Sequence, residues 1–258
     1  MLTAYSGMKC SISPIMQDNL IAELSLSSSD GFSPSYQNLA RAILIRKNRR
    51  GGFLPQPIPA DILKEAISNS PLLPDGLVLT EVSAIASPDG KSTLAELTAG
   101  NMKRVYSIPA FRREMSKWIT PTGSPKRTGL PGYTLNQPVL MSWILPTIIR
   151  FVNMGPVLAK LNYGALATSS AIVGFGNTES PLGWVSTGFQ ASHTALTLVA
   201  HELNYSVFVA AIEYDDTRKK ANDVFGLHYP LQFLFAAGKL PGEVDWKTPR
   251  IPIEKKSL

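Results

Sequence analysis

Four cations occupy five consecutive positions in Arg46-Lys47-Asn48-Arg49-Arg50, and Gly51-Gly52-Phe53 follows them. Guanidinium groups grip phosphate oxygens through paired hydrogen bonds, and a glycine pair lets backbone approach a ligand more closely than side chains allow. Arg46, Asn48 and Arg50 alternate. In an extended stretch all three could face one anion, the Asn48 amide adding a neutral donor. The same residues also describe a solvated basic helix end, which the negative C-terminal dipole favours. Residue types alone leave the two readings level.

The elements that would position this cluster are partly legible. Ser33-Pro34 supplies a helix start, and Tyr36, Leu39, Ala42, Ile43 and Ile45 carry that helix to the cations. Before it, residues 1–32 hold one strand, Leu20–Leu26, whose alternation gives a single apolar face. Downstream, Pro55 to Asp61 is a stiff connection into a short helix over Asp61–Ser68. Leu77–Ile85 reads as a strand, Pro88-Asp89-Gly90-Lys91 as a turn, and Ser92–Asn101 and Ala110–Trp118 as helices. Pro121–Pro138 is a Pro/Gly/Thr-rich loop. Ala171–Gly176 is a central strand, Leu182–Asn204 a long buried helix of small and apolar residues, Asp215–Phe225 a polar helix and Leu231–Ala237 a strand. This irregular alternation predicts an α+β layered fold with a central mixed or antiparallel sheet and flanking helices, residues 33–258 forming one domain.

Composition narrows the chemistry. The single cysteine, Cys10, excludes an internal disulfide or a cysteine metal site and fits a reducing, cytoplasmic location. A net charge of +6 attracts anions, but the basic pairs Arg112-Arg113, Lys126-Arg127 and Lys219-Lys220 are scattered, and no recognition helix or zinc-finger spacing accompanies them, so nucleic acid is not expected. Val139–Val152 is the most apolar window. It is interrupted by Pro146 and Arg150 and is too short to cross a bilayer, so no integral membrane segment is expected; it reads as buried or interfacial, with a monotopic membrane contact as the alternative.

Other motifs do not complete a site. His201-Glu202 begins like a zinc-protease helix but lacks the second histidine, and His193 lies about 12 Å away along the axis. Gly174-Phe175-Gly176-Asn177 lacks the third glycine of a dinucleotide loop and reads as a strand-terminal turn. No serine has an assignable histidine and acid, and Asp215-Asp216 reads as the acidic start of a helix. No catalytic side chain and no metal ligand is assigned.

The order of segments carries more. Ala-Ile-x-x-Arg-x-Asn-Arg-Arg-x-x-Phe, then Pro-Ile-Pro-Ala-Asp-Ile-Leu, then Glu114 to Trp118, Gly129-Leu130-Pro131-Gly132-Tyr133, Gly183 to Gln190 and Ile212-Glu213 through Arg218 together resemble the nitroreductase-type FMN flavoproteins, particularly their Acg-like branch. The resemblance spans about residues 33–250. It implies that Arg46, Asn48 and Arg50 hold the FMN phosphate, that Gly188, within Trp184–His193, lies beside the flavin, and that Lys239 replaces the charge of an arginine usual after the last strand. It also implies a lid over about residues 120–160 containing Pro131-Gly132-Tyr133, a homodimer, and an oxidoreductase taking hydride from a nicotinamide nucleotide and passing electrons to a small organic acceptor. The alternatives are an FMN-binding or flavin-sequestering protein with little turnover, and a non-catalytic interaction domain.

Three features depart from that pattern. The Ala-Pro-Ser-x-x-Asn-x-Gln-Pro-Trp stretch usual in the family's first half is missing, as if the chain began partway through the plan. Ala236-Ala237-Gly238 stands in place of Arg-x-Gly. Asn204-Tyr205 stands where Gly-Leu usually ends the long helix, asparagine being the next-best residue for a left-handed exit.

Overall fold

Residues 8–17, 20–28, 37–48, 50–71, 73–135, 137–242 and 248 are described by a computed structural model of the chain. In order, the elements are β1 (Met8–Gln17), β2 (Leu20–Ser28), α1 (Gln37–Ile45), α2 (Ala60–Ile67), β3 (Glu81–Ile85), α3 (Pro88–Ser107), α4 (Pro109–Trp118), β4 (Ile119–Thr120) and β5 (Leu130–Pro131). Then come α5 (Val139–Phe151), α6 (Gly155–Ala167), β6 (Ala171–Gly176), α7 (Pro181–Ala200), β7 (Asn204–Val207), α8 (Asp215–Phe225) and β8 (Leu231–Gly238). Short 3-10 turns lie at Gly132–Leu135 and Val209–Ile212.

A four-stranded sheet of order β3-β6-β8-β7, antiparallel throughout, forms the centre. All six residues of β6 are buried, so it can afford no polar face. The pleat divides it: Ala171, Val173 and Phe175 point into a core shared with α1, α2 and α7, while Ile172 points into a second core shared with α3, α6 and α8. This is the layered α+β architecture expected, with α7 as the long buried helix. A third, smaller core joins Val105, Tyr106, Ile119 and Ile149 where α3 meets α4 and α5.

Several boundaries differ from expectation for physical reasons. The first thirty residues hold two strands, not one: β1 pairs antiparallel with β2, and although Met8, Cys10 and Ile12 alternate with Lys9, Ser11 and Ser13, Pro14 interrupts the run, a residue that argues against a strand. The proposed start at Ser33-Pro34 lies outside the described residues. Pro88-Asp89-Gly90-Lys91 is the first turn of α3 and not a separate turn, because Ser87 stands at the N-cap position and Pro88 fits the first helical residue, where no N–H is needed. Gly90 is required there by contact: a Cβ would come within 2.9 Å of the Ser87 hydroxyl and closer still to Ile85. Residues 120–160 are not chiefly a loop, since α5 and the first turns of α6 occupy much of them.

The long helix ends at Ala200, not Asn204. The amide of Leu203 donates to Leu198 O at 2.9 Å and that of Glu202 to Val199 O at 3.1 Å, with Glu202 at φ 61°. This bond pair defines a Schellman stop. The left-handed residue is therefore Glu202, and Asn204 opens β7.

Candidate functional site

The C-terminal end of α1 delivers the basic cluster to the β7 edge of the sheet. Asn48 makes a parallel bridge to Tyr205, and its Oδ1 accepts the Val207 amide at 3.1 Å, tying the exit from α1 to the strand. Arg46 Nη1 reaches the Tyr205 hydroxyl at 3.4 Å, a long bond that leaves most of its five donors uncommitted by that contact. Asn48, with its carbonyl engaged, presents an amide NH2.

These two residues stand at one side of a cavity of about 600 Å³ between α7 and β7–β8. Its floor on α7 is built from Trp184, Thr187, Gly188, Ala191, Ser192 and Ala195, which recur every three or four residues and therefore share one face. All but Trp184, at the N-terminal end of the stripe, are small. A Cβ placed on Gly188 meets nothing within 4 Å, so the absence of a side chain there keeps open space open.

The opposite wall is aromatic, formed by Tyr205, Phe233 and Phe235, with ring centroids 5.4 Å apart for Tyr205–Phe235 and 6.3 Å for Phe233–Phe235. A β-bulge shapes the far end. Phe175 pairs with Phe233 but Gly176 with Leu231, so Gln232 is the extra residue and turns toward α7. Its Nε2 donates to Asn177 O and Thr178 O at 3.1 and 2.8 Å, and its Oε1 accepts the Thr187 hydroxyl at 2.7 Å. Having given its hydrogen to Gln232, the Thr187 hydroxyl can only accept from anything in the cavity.

Of the residues singled out in the sequence, Arg46, Asn48 and Gly188 line this cavity; Arg50 and Lys239 do not. Alternation would have carried Arg50 to the same side. Instead Gly51 adopts φ 133° and the Arg50 guanidinium lies near Tyr106 on α3. Although Arg50 as a residue is exposed, its guanidinium is enclosed enough for burial to lower its pKa, an effect the Tyr106 hydroxyl partly opposes. Burial pushes Tyr106 up, and Arg50 draws it back. Lys239 follows β8, its carbonyl accepting the Leu54 amide at 2.8 Å. No residue of the 120–160 segment is among those lining the cavity.

The other candidates resolve as structure. Asn177 closes β6, its amide donating to Leu79 O and the Thr80 hydroxyl. Asp215 and Asp216 open α8. His201 Nε2 sits 3.1 Å from Glu65 Oε2, and His193 is 6% exposed, burial lowering its pKa against the pull of Glu65. Both line a second cavity of about 390 Å³, but no group of three metal-ligating side chains occurs among the described residues.

Tyr205, Phe233, Phe235 and Gln232 escaped the sequence, and Thr187 was covered only as part of Trp184–His193. The small-residue stripe on α7 was readable as a period-3.6 pattern, and Ser180-Pro181 marks its start, with Ser180 Oγ accepting the Gly183 amide. The bulge that aims Gln232 has no local signature.

No protein-family model and no curated protein sequence matches the chain. Its structure is similar to solved ones. One is the FMN and NADPH-dependent nitroreductase NfnB from Sphigopyxis sp. strain HMH, with a TM-score of 0.54 and 17% identity over 85% of this chain and 99% of that one. Another is oxidized iodotyrosine deiodinase bound to FMN and 3-iodo-L-tyrosine, with a TM-score of 0.51 and 10% identity over 85% of this chain and 100% of that one. At such identities the likeness speaks for architecture, and by architecture this chain has the nitroreductase-like fold.

Proposed function

We propose that the chain is an FMN-dependent oxidoreductase of the nitroreductase type, with the cavity between α7 and β7–β8 as its flavin site. The observation that carries the reading is the polarity of that cavity: a guanidinium and an amide at one side, an aromatic wall, and a floor of small residues. This donor set fits a flat ring bearing an anionic tail, since an aromatic wall and an uncluttered floor suit a planar ring. When bound, FMN would take hydride from a nicotinamide nucleotide and deliver electrons to an organic acceptor.

The residues have separable tasks. Arg46 and Asn48 would hold the phosphate, Tyr205, Phe233 and Phe235 would exclude water from one side of the ring, and Gly188 with Ala191 would let it approach α7. Thr187, held by Gln232, would be free only to accept a hydrogen bond there. Arg50, given to the phosphate by the family resemblance, and Lys239, given by it as the replacement for an arginine after the last strand, do not line the cavity. That leaves Arg46 as the one side-chain cation lining the cavity among the described residues, which favours a second reading: FMN binding with little turnover.

The Acg-like assignment and a homodimer belong to the same proposal. Purified protein should be yellow or take up added FMN, and should then oxidise NADH or NADPH in the presence of a nitroaromatic or quinone. Colourless protein that binds no FMN would sink both readings. Flavin uptake without nicotinamide oxidation would select the second. Light scattering on the flavin-loaded protein tests the dimer, which a monomer mass would exclude.

A further inference from the structure

The positive charge of the chain is concentrated. Between Glu96 and Glu179 the sequence has nine lysines and arginines and a single carboxylate, Glu114, a net of +8; the rest has 16 basic and 18 acidic residues, a net of −2. Glu114 is itself engaged, its Oε2 on Lys117 Nζ at 2.9 Å and its Oε1 on Trp118 Nε1 at 3.0 Å. This segment contains α4, α5 and α6. Arg113, Lys117, Lys126, Arg127, Arg150 and Lys160 are all exposed on it.

The same segment exposes apolar side chains. On α5, Ser142 and Ile149 are buried and Leu145 packs into the third core, so one face meets the body. The opposite face runs Leu140, Ile144, Thr147, Phe151, a spacing that places all four in one ridge. Leu140 is 82% exposed, Phe151 71% and Ile144 49%, with Trp143 at 58% on the flank. The ridge is about 16 Å long by helical rise. After Val152 the chain bends by 116° into α6, which exposes Val157 and Leu161 and packs its other side along α3. The bend turns α6, packed along α3, away from the line of α5, and no single helix among the described residues is long and apolar enough to cross a membrane.

We propose that α5 and the basic corner around it form a peripheral docking surface for an anionic lipid bilayer, with α5 lying in the plane of the interface. Charge complementarity selects this partner: an exposed apolar ridge, in a segment whose cations are exposed and whose lone carboxylate is already paired, matches acyl chains beneath a negatively charged headgroup layer. Trp118 and Trp143, at the margin, are of the type that settles at headgroup level. Arg150, its guanidinium 5.4 Å from the Phe151 ring centroid, can keep its charge at the headgroups while Phe151 inserts. An acidic protein partner would have to offer a groove to receive the ridge.

Co-sedimentation of the full chain with vesicles tests this. Binding to vesicles of equal phosphatidylcholine and phosphatidylglycerol should exceed binding to phosphatidylcholine alone by at least about tenfold and fall in about 0.5 M salt. Leu140→Asp with Ile144→Asp should abolish it with the circular dichroism unchanged, Arg150→Glu should weaken it several-fold, and Trp143→Phe should remove a vesicle-induced blue shift in emission. Should the double variant not fold, Arg150→Glu and the single change Leu140→Ser at the most exposed position carry the same expectation. Equal binding to both vesicle types, or none, overturns the proposal. So does an oligomer that dissociates in the double variant without any vesicle binding by wild type, since the face would then belong to a second copy.

Discussion

The two faces of the central sheet are packed to opposite ends. Toward α3 and α8, Phe225, Leu94, Leu231 and Leu234 fill all the space, and a Cβ added to Gly174 would lie 2.8 Å from the Phe225 ring. Toward α7 the strands offer comparably large rings, Phe233, Phe235 and Tyr205, but beyond Trp184 the helix opposite answers with Thr187, Gly188, Ala191, Ser192 and Ala195, and a cavity results. The difference teaches that the hole is set by side-chain size on one helix, since the strands on both sides are equally apolar. A protein interior is normally close-packed, so a gap walled by rings and rimmed by a cation is the feature on which the proposed flavin site rests.

The contrast can be broken by substitution. Phe225→Ala, on the dense face, should cost about 3–5 kcal/mol in urea unfolding, because the site cannot collapse. Gly174→Val on the same face should cost about 1–3 kcal/mol through overpacking. Gly188→Val on the open face should leave stability within about 1 kcal/mol, since it adds a side chain to empty space and gains slightly in helix propensity, while obstructing FMN. Equal destabilisation at Gly174 and Gly188 would show that the two faces do not differ as described.

Smaller effects sharpen the frame that holds the faces apart. Burial raises the pKa of Glu81, but hydrogen bonds from the Tyr229 amide and from the His228 ring and amide outweigh it and leave the carboxyl depressed. A depressed carboxylate contributes stability that is present above its unfolded pKa and lost as pH falls through the folded one. Glu81→Gln should therefore melt lower at neutral pH, by about 1–2 kcal/mol in stability, and lose less than wild type as pH falls below about 4. Glu202→Gly should gain about 1 kcal/mol by relieving a left-handed non-glycine residue, observed as a small rise in Tm.

What the sequence revealed follows from where its signals are local. Asp215–Phe225 was readable to the residue because two acids open it and Gly226, at φ 65°, closes it; Ala171–Gly176 was readable because a strand buried on both faces is continuously apolar. α3 was read short since Pro88 and Gly90 look like a turn until Ile85 is seen pressing on Gly90. The end of α7 was misplaced because nothing in a glutamate announces a left-handed stop. At the cavity, Arg46 and Asn48 were visible as a cluster, but their separation from Arg50 depends on the Val207 amide, 159 residues distant from Asn48 in the chain. The aromatic wall depends on β-strand pairing and the position of Gln232 on a bulge, neither of which has a local code.

The most direct measurement is a paired titration of FMN and riboflavin, which lacks the phosphate, into wild type and Arg46→Ala, followed by flavin fluorescence. Loss of a charge-assisted contact should weaken FMN by about 10- to 100-fold and leave riboflavin unchanged. Unaltered FMN affinity in Arg46→Ala, or an equal loss for riboflavin, would contradict the assignment of this cavity as a flavin site gripped through its phosphate.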